Sequence, residues 1–330
     1  MASSSLPSNA RLVNIGTHSL ALYTHGPEPS SSKQPVVIFI SGVASDALNW
    51  QAVVRLSPSS LRSYTYDRSG YNNSESSPVE PTAENVALEL SLLIEKAPIT
   101  NPLILVGHSW AGVLTHEFIA LKGTSQIAGI VLVDANHETA PLVMDTADPI
   151  LWKSIAAGVE PYAGWGVEAE HKLTPEEWAA FKAVESTEKF KAIEQKEDFE
   201  QYLPSFETLR KKELLKKQPL LGDKPVYVIG GVRSRDWKGL YEAGVAKGNG
   251  TEDERAYVRG LIEGVDAKNE GLMKEFLKLS TKSELVWAKE SGHFVQLTQP
   301  DVVVDGVKWT RLNNMDVNSA SSKVTSDTEL

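Results

Sequence analysis

Short, uninterrupted apolar runs recur along the chain with helical patterns between them. The clearest run, Pro35-Val-Val-Ile-Phe-Ile-Ser-Gly42, is rich in β-branched residues and ends in glycine, as is typical of strands buried on both faces of a parallel sheet. Five similar runs follow, at 61–66, 103–106, 127–133, 225–229 and 283–287. The segment 82–96 has helical spacing of its apolar residues, with Thr82 as N-cap. Strands that alternate with helices predict an α/β fold with a mostly parallel central sheet.

The two ends and the middle of the chain depart from this alternation. Residues 11–24 alternate apolar and polar side chains and predict an antiparallel strand pair. A long, charged, helical stretch separates the runs at 127–133 and 225–229, and it is too long for an ordinary connection. We interpret it as a helical lid over the carboxyl ends of the strands, where open α/β sheets bind ligands. The predicted organisation is a disordered leader (1–10), a core (11–137 and 222–312) with a second, smaller insertion at 238–279, the lid (138–221) and a Ser/Asn/Asp-rich disordered tail (313–330).

The charge and the residue usage limit the partners that the chain can bind. A formal net charge of -10 disfavours nucleic acids and anionic membranes, so we expect a small molecule as partner. With no cysteine there is no disulfide, no thiol nucleophile and no Cys-ligated metal site, and a cytoplasmic location is our default expectation. The sequence has neither an apolar run long enough to cross a bilayer nor the apolar core of a signal peptide, and it gives no signal for an oligomeric state.

The strongest chemical signal lies in Leu103-Ile-Leu-Val-Gly107-His108-Ser109-Trp110-Ala111-Gly112. A buried strand enters a tight turn there, and a helix begins at once. Gly107 and Ala111 are small, which a strained corner between strand and helix requires, because large neighbours would collide with the backbone. The corner exposes the Ser109 hydroxyl and directs the N-terminus of the helix at developing negative charge. Ser109 is therefore the candidate nucleophile.

A second segment, Gly292-His293-Phe294, follows the last apolar run and precedes a short helical pattern. Together with the serine corner it resembles the α/β-hydrolase superfamily, and the resemblance extends over residues 35–309. It implies an α/β-hydrolase fold with an inserted helical lid, in the serine-nucleophile branch that includes esterases, lactonases and thioesterases. It also implies that His293 is the general base. Two other histidines, His108 and His137, compete for the role of general base. We expect His108 to point away from the Ser109 side chain.

The same resemblance assigns roles to two loops. The segment Ile40-Ser41-Gly42-Val43 stands where the family has a strand followed by His-Gly and an oxyanion-hole residue, with Ser41 in place of the histidine. By this likeness the backbone N–H groups of Val43 and Trp110 would hold the oxyanion. The loop 66–74 looks like the family's D-x-x-G-x-G-x-S loop, with Asn72 in place of a glycine, and would shape the wall of the pocket.

The sequence leaves two candidates for the acid that orients His293. Asp134 ends the run at 127–133, and the pattern Val133-Asp134-Ala-Asn-His137-Glu138 resembles a subset of the family in which the acid follows that strand. Asp236 follows the strand after the lid, the commonest family position, although its spacing is longer than usual. We favour Asp134, because a strand end would hold the carboxylate in a fixed and partly dry place.

These residues predict a serine hydrolase that cleaves an ester, thioester or lactone of a small, hydrophobic or aromatic metabolite through an acyl-enzyme on Ser109. No cofactor is expected, and no metal either, because the histidines lack metal-ligand spacing. Two alternatives remain open: a lyase or C–C hydrolase of the same fold, and a non-catalytic small-molecule receptor built on the same scaffold.

Overall fold

The computed structural model describes residues 6–324 and contains one eight-stranded sheet in that part of the chain. Its strands are β1 Ala10–Asn14, β2 Ser19–His25, β3 Val36–Ile40, β4 Ser63–Tyr66, β5 Leu103–His108, β6 Ile127–Val133, β7 Val226–Gly231 and β8 Ser283–Ala288. The order across the sheet is β1-β2-β4-β3-β5-β6-β7-β8. As predicted, β1 and β2 pair antiparallel and the sheet is mostly parallel: β2 also pairs antiparallel with β4, and the remaining five pairs are parallel.

The central strands form the middle layer of the molecule. Every residue of β3, β5, β6 and β7 is buried, because helices cover both faces of the sheet. This is the physical reason that these strands occur in the sequence as continuous apolar runs instead of alternating patterns. One core cluster lies on each face, around Leu105 and Leu132 on one side and around Val106 and Val131 on the other.

Thirteen α-helices occur in residues 6–324. They are α1 Gln51–Leu56, α2 Ala83–Lys96, α3 Ala111–Lys122, α4 Ala140–Val143, α5 Pro161–Gly164, α6 Val167–Glu170, α7 Pro175–Glu185, α8 Glu188–Glu194, α9 Tyr202–Arg210, α10 Arg233–Ala246, α11 Glu252–Phe276, α12 Val295–Thr298 and α13 Pro300–Val324. Short 3-10 turns lie at Ala47–Trp50, Leu214–Lys217 and Leu277–Leu279, and π-helical segments at Ile150–Ile155 and Gln195–Gln201. As predicted, Thr82 caps α2 by accepting a hydrogen bond from the Asn85 N–H. No helix in this part of the chain combines the length and apolar character needed to cross a membrane.

The insertion between β6 and β7 is helical, as the sequence predicts, and contains α4 to α9. Its aromatic side chains pack on one another: the Tyr162 ring contacts Trp165, Trp178 and Phe181, and Trp165 lies against Phe294 of the core. These rings therefore form a small core that attaches the lid to the body. Between β7 and β8, α10 and α11 occupy most of the region predicted as a second insertion.

The structure departs from the sequence-based expectation near the C-terminus. A disordered tail was expected from residue 313, but α13 continues to Val324. At the start of that stretch Asn314 is 8% exposed and donates a hydrogen bond to the Ala128 carbonyl, so the helix is still packed on the core there. No glycine or proline follows Gly306, and the composition therefore gives no stop signal for the helix. Residues 1–5 of the predicted leader and 325–330 of the predicted tail lie outside the described residues.

Candidate active site

Ser109 lies on a sharp corner between β5 and α3. Its φ of 56° is in the left-handed region, which costs a non-glycine residue about 1 to 3 kcal/mol and is concentrated at functional sites. The corner needs small neighbours: a Cβ on Gly107 would lie 3.0 Å from the Ala111 Cβ, and one on Gly112 would lie 2.4 Å from the Asn136 carbonyl oxygen. The small residues that marked this segment in the sequence therefore have a steric cause.

The structure brings Ser109, His293 and Asp134 together in a hydrogen-bonded chain. The Nε2 atom of His293 lies 2.9 Å from Ser109 Oγ, and its Nδ1 atom lies 2.7 Å from Asp134 Oδ2. The three residues follow β5, β8 and β6, parallel strands whose carboxyl ends meet at one edge of the sheet. This arrangement orients the imidazole so that it can accept the serine proton.

Asp134 is fully buried, and several donors surround its carboxylate. Oδ1 accepts hydrogen bonds from the Gly231 N–H at 3.0 Å and from Asn269 Nδ2 at 2.9 Å, and the Nε atom of Arg233 lies 2.7 Å from Oδ2. Burial by itself would raise the pKa of the Asp134 carboxyl, but the Arg233 guanidinium and the His293 hydrogen bond outweigh burial and hold this pKa below its usual range. The group is therefore held as a carboxylate.

Sequence reasoning missed Arg233 and Asn269. The only sequence feature that indicates a supporting role for Asn269 is its position on α11. It falls there on the same face as the buried Val265, Leu272 and Phe276. A polar residue in the apolar stripe of a helix points to a buried hydrogen-bond partner, which here is Asp134. Arg233 begins α10 and resembles a surface residue in the sequence, but its side chain is only 8% exposed.

Asp236, the alternative acid, contacts the backbone of His293 and not its ring. Its Oδ2 accepts a hydrogen bond from the His293 N–H at 2.7 Å. A Cβ on Gly292 would lie 1.7 Å from Asp236 Oδ1, so this approach requires glycine before the histidine. Burial raises the pKa of Asp236 to about 7. The two aspartates therefore hold His293 at two different atoms.

Neither competing histidine contacts Ser109 within the described residues. The Nε2 atom of His108 donates to the His293 carbonyl at 3.0 Å, and its Nδ1 atom accepts from Gln296 at 3.2 Å. Burial lowers the pKa of His108 well below its usual value, in keeping with a neutral ring. His137 is also buried and bonds to Thr139 through Nδ1.

The loop after β3 lies directly against the serine. A Cβ on Gly42 would lie 2.8 Å from the Ser109 Cβ, so only glycine fits at this position. Neither the Val43 N–H nor the Trp110 N–H donates a hydrogen bond to another group within residues 6–324. Both amides are therefore available to a ligand next to Ser109, as the oxyanion-hole prediction requires.

The loop 66–74 supports the same region. Asp67 accepts hydrogen bonds from the Tyr23 hydroxyl at 2.6 Å and from the Ala47 N–H at 3.2 Å. Asn72, which replaces the glycine of the family pattern, has a φ of 35°. Asparagine tolerates the left-handed region better than most residues, which explains the replacement.

The lid covers the serine, which is only 6% exposed. The Tyr202 hydroxyl donates to Asn136 Oδ1 at 3.1 Å, and this oxygen lies 3.5 Å from Ser109 Oγ. Trp110 Nε1 donates to Ser205 Oγ of the lid at 2.9 Å. A cavity of about 250 Å³ under the lid is lined by residues such as Ile193 rather than by Ser109 or His293. In residues 6–324, no cluster of His, Asp or Glu side chains could hold a metal ion.

The parallel sheet, the serine corner and the helical insertion define the class of α/β hydrolases. The sequence matches the alpha/beta hydrolase family over residues 37–306, and the chain belongs to that family. An AB hydrolase superfamily protein of Gibberella zeae is 28% identical over 299 residues, which cover 88% of this chain and 90% of that protein.

Two solved structures share the fold. A thermophilic esterase from Thermogutta terrifontis superimposes with a TM-score of 0.60 at 16% identity, covering 93% of this chain and 100% of the esterase. The carboxylesterase CesB of Bacillus subtilis superimposes with a TM-score of 0.57 at 16% identity, covering 92% of this chain and 90% of the carboxylesterase. At these identities the likeness concerns the fold alone.

Proposed function

We propose that the protein is a serine hydrolase that forms an acyl-enzyme on Ser109 from a small ester, thioester or lactone. The observation that supports this most strongly is the continuous chain of hydrogen bonds from Ser109 through His293 to Asp134, with distances of 2.9 and 2.7 Å. A receptor that only binds a ligand has no need of a strained serine aligned with a base.

The reaction begins when Ser109 Oγ attacks the carbonyl carbon and its proton passes to His293 Nε2. The carbonyl electron pair moves to oxygen, where the N–H groups of Val43 and Trp110 stabilise the negative charge. Collapse of this intermediate expels the alcohol, thiol or ring oxygen, which takes the proton from His293. Water then attacks the acyl-enzyme by the same route, again with His293 as base, and regenerates Ser109. The buried Asp134 carboxylate stabilises the imidazolium at both steps.

A hydrophobic or aromatic substrate is supported by the surroundings of the serine. The Phe294 ring lies 5.3 Å from the His293 ring, and Tyr202 of the lid bonds to Asn136, whose Oδ1 atom lies 3.5 Å from Ser109 Oγ. The chain has a net charge of -10, which favours a neutral substrate over an anionic one. A cytoplasmic location remains our expectation.

A fluorophosphonate probe tests the proposed function directly. We expect intact-mass spectrometry to show one phosphonate adduct on the native protein, and peptide mapping to place it on Ser109, because only an activated serine reacts rapidly. The Ser109→Ala variant is the control and should remain unlabelled. A folded native protein that neither takes up the probe nor hydrolyses p-nitrophenyl esters would refute the proposal and favour the receptor alternative.

The pH dependence of kcat/KM tests the role of His293. Burial, and after it the positive charge of Arg233, lower the pKa of His293 to about 4, although Asp134 acts in the opposite direction. A general base works only when neutral, so activity should fall as the pH drops through about 4 and not through the usual 6.5. Arg233→Met removes the positive charge, so the pH at which activity falls should rise by about one unit.

The matched control for this experiment is Arg235→Met. Arg235 has the same charge and lies two residues further along α10, but it pairs with Glu170 and its side chain is 35% exposed. We expect its profile to coincide with that of the native protein. A native midpoint near 6.5, or equal shifts in the two variants, would contradict the proposed influence of Arg233 on His293.

A further inference from the structure

The lid places one buried carboxylate, that of Glu197, against the loop that contains Val43. Glu197 belongs to the segment Gln195–Gln201 and is 1% exposed. Its Oε2 atom accepts hydrogen bonds from the Ala44 N–H at 3.3 Å and from the Tyr71 hydroxyl at 2.7 Å. The contact to Ala44 joins the lid to the residue that follows Val43.

Arg68 links the same carboxylate to the other side of the loop. Its guanidinium forms two hydrogen bonds with Glu197, Nη2 to Oε2 at 2.6 Å and Nε to Oε1 at 3.1 Å. The third nitrogen, Nη1, donates to the Ser41 carbonyl at 2.8 Å. Val43 therefore lies between two residues that are held by one ion pair, Ser41 through Arg68 and Ala44 through Glu197.

The conformation of the loop 41–44 depends on its contacts with Arg68 and Glu197. Ala44 has a φ of 48°, a conformation that an alanine adopts only when its surroundings impose it. Gly42 lies so close to Ser109 that a Cβ at this position would clash with the Ser109 Cβ, which leaves little room on that side of the loop. The direction of the Val43 N–H therefore depends on the contact that the lid makes with Ala44.

Burial of an ion pair such as Arg68–Glu197 is by itself weak evidence of net stabilisation. Removing two charges from water is expensive, and buried ion pairs can often be replaced by apolar residues without loss of stability. The pairs Arg55–Glu177 and Arg235–Glu170, which also involve the lid, are partly exposed and avoid this cost. If the lid withdrew, Arg68 would lose its carboxylate partner and the Ala44 N–H would lose its acceptor, so the seated lid and the ordered loop are coupled.

We propose that Glu197 is a positioning residue of the lid, which orients the Val43 N–H so that the oxyanion hole is complete only when the lid is seated. This inference rests on the proposed serine hydrolase function. Glu197 itself does not touch the reacting atoms. It acts through Ala44 and Arg68, and it makes lid closure a condition for stabilising the oxyanion.

Steady-state kinetics of Glu197→Gln with p-nitrophenyl butyrate tests the inference. Loss of one oxyanion donor lowers kcat by about 100- to 1000-fold in other enzymes, and a misdirected donor should cost less. We therefore expect kcat to fall by about 10- to 100-fold with KM changed by less than about threefold. The affinity for phenylboronic acid, which forms a tetrahedral adduct on serine, should fall by a similar factor, because the adduct uses the same N–H groups.

Glu170→Gln is the matched control, since it removes a carboxylate of the lid from an ion pair with Arg235, and in the described residues Glu170 makes no hydrogen bond to the loop that contains Val43. Its kcat should stay within twofold of the native value. If the native protein turns over and Glu197→Gln retains its kcat, or changes only KM, the inference is wrong and the proposed function stands. If the native protein neither hydrolyses the ester nor reacts with the fluorophosphonate, the proposed function itself fails.

A milder variant covers the case in which Glu197→Gln does not fold. Tyr71→Phe keeps both charges of the ion pair and removes one of the hydrogen bonds to Glu197 Oε2. We expect kcat and the affinity for phenylboronic acid to fall together, by about three- to tenfold, consistent with the roughly 1 kcal/mol contributed by one hydrogen bond. A kcat equal to that of the native protein in this folded variant would overturn the inference.

Discussion

Replacing His293 by alanine is expected to lower kcat for p-nitrophenyl ester hydrolysis by about a million-fold, the size of effect seen when the base of a serine triad is removed. The expectation follows from the 2.9 Å contact between His293 Nε2 and Ser109 Oγ, since within the described residues no other imidazole reaches the serine. Labelling by the fluorophosphonate should become equally slow. Residual turnover of about 1000-fold over water should remain, because the oxyanion donors are untouched.

His108→Gln provides the matched control, because the two imidazole rings are neighbours with centroids 4.5 Å apart. His108 contacts the His293 carbonyl and not the serine, and a glutamine amide can also donate to that carbonyl. We expect kcat to fall by less than about tenfold, as for loss of a supporting hydrogen bond. Comparable losses in the two variants would mean that His108 takes part in proton transfer and that the assignment of the base is wrong.

The fold could be predicted because its signals are local. Each short apolar run became a strand, and the continuous character of β3, β5, β6 and β7 correctly indicated burial on both faces. The helical insertion was predicted from the length of the interruption. The C-terminal helix was missed from residue 313 onwards because the composition of that segment is polar, while the contacts of Asn314 with the core depend on tertiary structure.

The candidate site was only partly accessible to sequence reasoning. Ser109 stands in a motif whose small neighbours have a steric cause, and His293 follows a glycine that Asp236 requires. The choice between the two aspartates depends on the distance from each carboxylate to the His293 imidazole ring. This distance cannot be read from the spacing of residues in the sequence. Both follow strands that end at the same edge of the sheet.

Among the supporting residues, Arg68 and Glu197 were not accessible to sequence reasoning, and Asn269 was indicated only by its place in the apolar stripe of α11. Asn269 lies 135 residues from Asp134, and Glu197 lies 129 residues from Arg68. Each contact joins an inserted helical segment to the core. Charged residues are so common in these segments that a buried one has no distinguishing pattern, and only the assembled structure identifies it.

Asp134→Asn is expected to lower kcat by about 10,000-fold, as the corresponding change does in other serine triads. An asparagine at this position fits the space but presents no carboxylate to His293 Nδ1, which disturbs the tautomer and leaves the imidazolium without its counter-charge. It also leaves Arg233 buried without its carboxylate partner. The measurement is kcat at pH 7, with thermal unfolding to show that the variant is folded.

The variant Asp236→Asn distinguishes the role of Asp236 from that of Asp134. An asparagine Oδ1 at position 236 can still accept the hydrogen bond from the His293 N–H. Its kcat should fall by less than about tenfold. The folded-state pKa of Asp236 is raised from 3.8 to about 7, so its contribution to the free energy of unfolding is fully present below pH 3.8 and declines as the pH rises from there to about 7. The free energy of unfolding of Asp236→Asn should therefore lack this decline. A larger kcat loss in Asp236→Asn than in Asp134→Asn would reverse the assignment of the acid and show that the ring of His293 turns towards Asp236 during the reaction.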